Sequence, residues 1–303
     1  MKKSFLVTDD FVNTRLDRWF KKNITQVPQS LLEKSIRKGN IKINNKKTKS
    51  SYKLKKKDQI IIHNINFKEN QHKEKQKKYV ASKSDLNKSS GIFIENNENF
   101  VVINKPAGIA VQSGTKSRKN IIDILRSTQE FETFSPYTVH RIDKETTGIL
   151  IVAKNRRYAQ LFTSLFRIRK IHKTYLCVVL GQLQRNKGTL EDELIYYENE
   201  KKIKAIAVTR YVVLDTNNNF SLLKLNPITG KKHQLRKQLL INGNPILGDT
   251  KYRIKENYHS RESNLMLHAH KISFSIDGVK HSYSADLPLY FTKFLNEKYL
   301  KTS

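Results

Sequence analysis

The segment Val139-His140-Arg141-Ile142-Asp143-Lys144-Glu145-Thr146-Thr147-Gly148 sets the Asp143 carboxylate beside a histidine and two cations. It runs directly into a wholly apolar stretch, residues 149–153. A rigid strand joined to a polar loop is a common way to hold reactive groups. The same residues also read as an Asx turn, with Thr146 and Thr147 capping it, and spacing alone favours that structural reading.

Two further segments gather cations and hydrogen-bonding groups. In Leu225-Asn226-Pro227-Ile228-Thr229-Gly230-Lys231-Lys232-His233-Gln234-Leu235-Arg236, a strand pattern passes through a Pro/Gly turn into a basic helix expected over residues 231–241. Helix N-termini and basic side chains both favour phosphate, although a charge run is by default a solvated face. In Lys170-Ile171-His172-Lys173-Thr174-Tyr175, basic residues lead to a tyrosine at the head of a strand. Such a ring is usually core; beside a basic surface it becomes a platform for a base. His268-Ala269-His270 places two imidazoles on one strand face, a weak metal signal without a third ligand. Phosphate-loop glycine patterns, CxxC, HExxH and GxSxG are absent, so no metal and no cofactor are expected.

Loops of this kind need a sheet to hold them. Strand patterns fall at residues 100–104, 148–153, 175–180, 205–214 and 220–225, and helical ones at 120–126, 158–166, 231–241 and 289–300. Strands outnumber helices without alternating regularly. The expected class is α+β, a mixed, largely antiparallel sheet flanked by helices and loops.

Upstream the pattern differs. Thr14-Arg15-Leu16-Asp17 opens a helix with apolar Leu16, Trp19, Phe20 and Ile24. After Pro28, Ser30-Leu31-Leu32-Glu33 reads as a capping box, Leu31, Leu32 and Ile36 as an apolar side, and Gly39 as the stop. A strand at 41–43 turns at Asn44-Asn45, and another follows at 59–62. Residues 1–68 are therefore assigned to a small αα-β domain, 69–91 to a basic flexible linker and 92–303 to the larger domain.

The chain has 303 residues, with 58 Lys and Arg against 27 Asp and Glu, a net charge of +31. One cysteine argues against a disulfide scaffold, no apolar run is long enough to span a membrane, and the first residues do not read as a secretory signal. A reducing, cytoplasmic setting and a polyanionic partner are expected. Nucleic acid leads over an anionic membrane surface, because no basic amphipathic helix of adequate length is evident. Residues 1–90 hold 24 Lys and Arg against 8 Asp and Glu, a net of +16, so this third is more than twice as charge-dense as the rest. Arg15, Arg18, Arg37, Lys38 and Lys42 lie on or beside its expected elements and are its candidate nucleic-acid contacts.

Taken together, the motifs resemble the RluA-type pseudouridine synthases. HRIDKETTGILIVAK resembles that family's signature around its aspartate, here Asp143. NKPAGIAVQSG (104–114), KTYLCVVLG (173–181), ITGKKHQLR (228–236) with the following GNPILGD, and LMLHA (265–269) resemble four further motifs in order. Residues 13–62 resemble the alpha-L RNA-binding motif. Departures are Lys231 where the family usually has Arg, Lys232 where Thr is usual, Gln238 where His is frequent, and Gln112-Ser113. A Lys keeps the charge of an Arg but loses its fork.

The resemblance implies isomerisation of uridine to pseudouridine in RNA, with large subunit (23S) ribosomal RNA or its precursor as partner and a monomer as the expected state. It implies Asp143, Tyr175 and Arg236 as catalytic residues, and demotes His268 to a structural one. Asp143 would act as nucleophile or as base on a uridine flipped out of its stack. Arg141, His140, Lys231 and Lys232 would hold the RNA around it. An RNA-binding protein without catalysis is the competing reading, and the presence of all three catalytic residues argues against it.

Overall fold

The computed structural model describes residues 2–25, 27–63, 79, 81–82, 91–113, 119–198, 201–254 and 264–302. The chain divides into two compact units, Met1–Lys77 and Lys78–Ser303. The expected linker lies outside the described residues except at Tyr79, Ala81, Ser82 and Gly91. Tyr79 and Ala81 pack against the core of the second unit.

The first unit contains β1 (Lys2–Leu6), α1 (Leu16–Asn23), α2 (Gln29–Arg37), β2 (Ile41–Ile43), β3 (Lys46–Lys47) and β4 (Gln59–His63). Its sheet is antiparallel in the order β1-β4-β2-β3. Leu16, Trp19 and Phe20 of α1 and Leu32 and Ile36 of α2 form one core with Ile41, Ile43, Leu54, Ile60 and Ile62. Asn44 and Asn45 both adopt positive φ, as the hairpin turn demands. Two details differ from expectation. α2 starts at Gln29 with Pro28 before it, so Ser30 lies inside the helix and no capping box forms; Gln29 instead donates to Glu33 (2.9 Å) and Asp17 (3.1 Å). Leu31 is exposed, because the helix turns its Leu32 and Ile36 side inward.

In the second unit the order is β5 (Phe93–Asn96), β6 (Phe100–Lys105), α3 (Ile121–Leu125), β7 (Tyr137–Thr138), β8 (Thr147–Ala153), α4 (Arg156–Arg167), β9 (His172–Leu180), β10 (Lys187–Glu198), β11 (Lys201–Thr216), β12 (Phe220–Pro227), α5 (Gln234–Ile241), β13 (Leu267–Ile276), β14 (Val279–Ser284) and α6 (Leu289–Glu297). The strands form one sheet along β10-β11-β12-β9-β13-β8-β6-β5, with β7 on β8 and β14 on β13. Among the described strands only β8 and β13 pair in parallel. This is the expected α+β class with a mixed, largely antiparallel sheet.

Side-chain alternation along the central strands sorts the core onto two faces. Val102, Ile149 and Ile151 pack with Phe162 of α4 and Phe274, while Val101, Ile103, Leu150 and Val152 pack with Ile121, Ile124 and Leu125 of α3. Asn120 and Asn155 cap α3 and α4 by accepting from the amides of Asp123 and Tyr158, both at 3.0 Å.

The β8–β13 contact depends on a missing side chain. Gly148 has φ +101°, and a Cβ there would lie 2.3 Å from the Ala269 carbonyl oxygen. Gly148→Ala is expected to cost about 3 kcal/mol or more, from strain and overpacking together. A urea midpoint matching that of the wild type would show that this strand pair yields readily.

Candidate active site

Asp143 lies in the loop from β7 to β8, Tyr175 is the fourth residue of β9, and Arg236 is the third residue of α5. They share a cleft of about 720 Å³ in the second unit, a size suited to a small-molecule-sized group. Its lining includes Arg141, Arg167, Arg169, Lys173, Lys231, Lys232 and Arg236, and Asp143 is the only acid among the described lining residues.

Asp143 and Arg236, 93 residues apart in sequence, are hydrogen-bonded: Nη1 donates to Oδ2 at 3.0 Å. The guanidinium is aimed by a second carboxylate. Arg236 Nε and Nη2 donate to the two oxygens of Asp249 at 2.6 and 2.8 Å, a bidentate fork. Asp249 is buried, and its Oδ1 also accepts the amides of Lys251 and Tyr252, both at 2.9 Å. Burial would raise the Asp249 pKa, but the Arg236 bonds and these amides outweigh it and hold the carboxyl below its ordinary value. Burial likewise works against the Arg236 charge, yet the bonds to Asp249 and Asp143 raise its pKa further. Its guanidinium also sits 5.1 Å from the Tyr252 ring centre.

Burial, and then the charge of Asp143, push the Tyr175 hydroxyl well above the ordinary tyrosine value, so it stays a neutral phenol beside the carboxylate. Lys105 is fully buried and donates to the carbonyls of Pro106 (2.7 Å), Ile109 (3.0 Å) and Lys144 (3.0 Å). It thereby ties the end of β6 to the loop carrying Asp143. Burial pushes its pKa down to about 7, opposed by Glu145 and Asp143, and only the ammonium form can donate to all three carbonyls.

The expected RNA contacts are placed unequally. Arg141 is exposed on the cleft lining. His140 also lines it, but its Nε2 accepts the Ile151 amide at 2.8 Å, and its ring stacks on Phe166 at 4.5 Å. Burial drops its pKa to about 3, so it offers no positive charge to a phosphate. Lys231 and Lys232 line the cleft from a loop, because α5 begins only at Gln234; His233 sits at φ 54° and breaks the helical run expected from 231. Gln234 Oε1 holds that loop by accepting from the Lys231 amide (3.0 Å) and the Thr229 hydroxyl (2.7 Å). Gln238 is fully buried and donates to the Leu190 and Ala207 carbonyls and to Asp192, tying α5 to β10 and β11.

In the first unit, Arg18, Arg37 and Lys38 are exposed. The Lys42 and Lys47 stems pass within 3.7 and 3.2 Å of where a Gly39 Cβ would be, so both cross the end of α2 beside Arg37 and Lys38. Arg15 is instead committed to buried Asp17, at 2.6 and 3.1 Å. His268 is fully buried, with Nδ1 on the Thr147 hydroxyl and Nε2 on the Ala285 carbonyl.

Sequence reasoning gave no role to Arg167, Arg169, Lys173, His233, Asp249 or Tyr252. The acid after Pro245-Ile246-Leu247-Gly248 was visible, but nothing local marks it as the partner of Arg236.

Fold and cleft together define an α+β protein whose described pocket lining sets basic side chains around one carboxylate. Residues 99–240 match the RNA pseudouridylate synthase family. The chain is 32% identical over 300 residues to the ribosomal large subunit pseudouridine synthase C of Rickettsia felis, spanning 93% of this chain and 95% of that protein. It is 30% identical over 305 residues to the protein of the same name from Buchnera aphidicola, spanning 96% and 95%. Among solved structures, human RNA pseudouridylate synthase domain containing 4 superposes with a TM-score of 0.62 at 26% identity, over 72% of this chain and 96% of that one. The chain belongs to the RNA pseudouridylate synthase family and is a pseudouridine synthase, an isomerase.

Proposed function

We propose that this chain converts specific uridines to pseudouridine in large subunit (23S) ribosomal RNA or its precursor, in the cytoplasm, with Asp143 acting on a flipped-out uridine. The observation that carries this reading is the placement of Asp143 as the sole acid among the described lining residues of a basic cleft, bonded to Arg236. The names of the Rickettsia and Buchnera relatives support the choice of RNA.

The reaction breaks the bond from uracil N1 to the sugar and forms one from C5, with no net redox change or hydrolysis. A carboxylate must reach the sugar, and a base stacked in folded RNA must leave its stack to meet it. Arg236 holds the Asp143 carboxylate in place, and the neutral Tyr175 ring offers the flipped base a face. Arg141, Lys231 and Lys232, joined by Arg167 and Arg169, supply positive charge for the flanking phosphates, contacts that position RNA without reading sequence. Pseudouridine mapping of ribosomal RNA from cells with and without this protein tests the reading. Loss of sites confined to the large subunit RNA is expected; an unchanged map would refute it.

In this reading the first unit, an alpha-L-type module, adds affinity as a tethered second binder. Its exposed cations around the end of α2 support that role. The double variant Lys38→Glu, Lys42→Glu is expected to weaken RNA binding and reduce the slope of log K against log salt by about two. An unaltered slope would mean that this patch does not meet RNA.

A further inference from the structure

The two oxygens of Asp143 face different partners. Oδ2 accepts from Arg236, whereas Oδ1 faces His233 Nε2 at 3.7 Å. The other ring nitrogen, His233 Nδ1, lies 2.8 Å from the Tyr252 hydroxyl. A neutral phenol has one proton to give, and no other partner for this hydroxyl is found among the described residues. The hydroxyl can donate to Nδ1 or accept from it, and donation leaves the imidazole proton on Nε2, turned toward Asp143. The opposite tautomer would set a nitrogen lone pair against the carboxylate.

The supports of this pair are the supports of Arg236. His233 precedes α5 in a left-handed conformation, three residues before Arg236. Tyr252 follows Asp249, contributes an amide to it and lies under the Arg236 guanidinium. One turn and one loop thus address both oxygens of the same carboxylate. The charged groups around His233 are Asp143, Arg236, Lys251 and Lys232. Burial, with the three cations, lowers its pKa against the pull of Asp143, so the ring stays neutral and a tautomer is defined.

We propose that His233, fixed by Tyr252 with its proton on Nε2, is a positioning residue that orients the Asp143 carboxylate through Oδ1. The 3.7 Å gap closes to a hydrogen bond with a small rotation of either side chain, as catalytic contacts commonly tighten when substrate binds. The proposal rests on Asp143 being the acting carboxylate.

The test is single-turnover conversion of a large subunit ribosomal RNA transcript, with RNA affinity measured alongside. Tyr252→Phe is expected to slow conversion on the order of 10- to 100-fold at unchanged affinity, since the wrong tautomer becomes accessible. In His233→Gln the amide N–H reaches the place of Nε2 without a tautomer to set. Adding Tyr252→Phe to that variant is expected to cost less than a further twofold. In the unmodified enzyme, ¹⁵N-histidine NMR should show His233, assigned by its loss in His233→Gln, protonated on Nε2, and this reading stands whether or not the variants fold. A conversion rate for Tyr252→Phe within twofold of wild type, rate losses that multiply in the double variant, or a His233 protonated on Nδ1 would each overturn the proposal. Asp143→Asn separates the two ideas: full turnover there would sink the underlying assignment, whereas an inactive Asp143→Asn beside a normal Tyr252→Phe would sink only the role of His233.

Discussion

Asp143→Asn is expected to abolish pseudouridine formation, lowering single-turnover conversion by about 10⁴-fold or more, while RNA affinity stays near wild type. The asparagine keeps the size of the side chain and an oxygen for Arg236 Nη1, so the cleft should keep its shape. It loses the negative charge that either proposed role at the sugar needs. Arg236 remains held, because its stronger ties are the two bonds to Asp249. The cations on the cleft lining are untouched, and in the proposed reading they supply the affinity. Conversion is read by loss of tritium from 5-tritiated uridine, and binding by titration of the same RNA. An Asn variant with full turnover would remove Asp143 from the chemistry. Lost binding with normal conversion at saturating RNA would reassign it to substrate capture.

Arg236→Leu should have the largest effect on stability, because two acids depend on this one cation. Asp249 is 1% exposed, and without Arg236 it keeps, among the described residues, only the amides of Lys251 and Tyr252. Breaking such a buried pair from one side costs about 3–5 kcal/mol. The pH dependence distinguishes this cause from lost packing. In the wild type the folded-state pKa of Asp249 lies below the ordinary carboxylate value. That stabilisation is complete above the unfolded value of about 4 and is lost as pH falls through the lower folded one. In Arg236→Leu burial dominates and the folded value rises above the unfolded one. The penalty is then full at neutral pH and is relieved on acidification. The gap in melting temperature between variant and wild type should therefore narrow from pH 7 toward pH 4.5; a constant gap would point to packing instead. Catalysis should fall as well, since Asp143 loses its anchor, and Arg236→Lys should recover part of the stability but not the fork.

Much of the local structure was legible because it depends on near neighbours in the chain. The mainly apolar runs at 148–153 and 220–225 and the Asn44-Asn45 turn need only a few consecutive residues, and the structure has them in place. Ordered motifs likewise carried the family. Features fixed by distant pairing were not legible. β10 contains Glu191, Asp192 and Glu193 and hides as a polar stretch; it is an edge strand, and the register of β11 makes it a strand. β13 contains His268, His270 and Lys271, and only its seat between β8 and β9 explains a buried His268.

The cleft shows the same division. The residues around Asp143 announced a carboxylate among cations, but sequence spacing could not separate a turn from a site. The chain alone determined which side chains were available: one acid in a loop at a strand end, a tyrosine in a strand, an arginine in a helix. Tertiary structure alone decided that α5 delivers Arg236 to Asp143, that Asp249 aims it, that His140 is spent on a backbone amide and that His233 stands at the other carboxylate oxygen. Residue type and short-range periodicity belong to the chain. Burial, tautomer and ion pairing are set by atoms that only the closed sheet brings within a few ångströms.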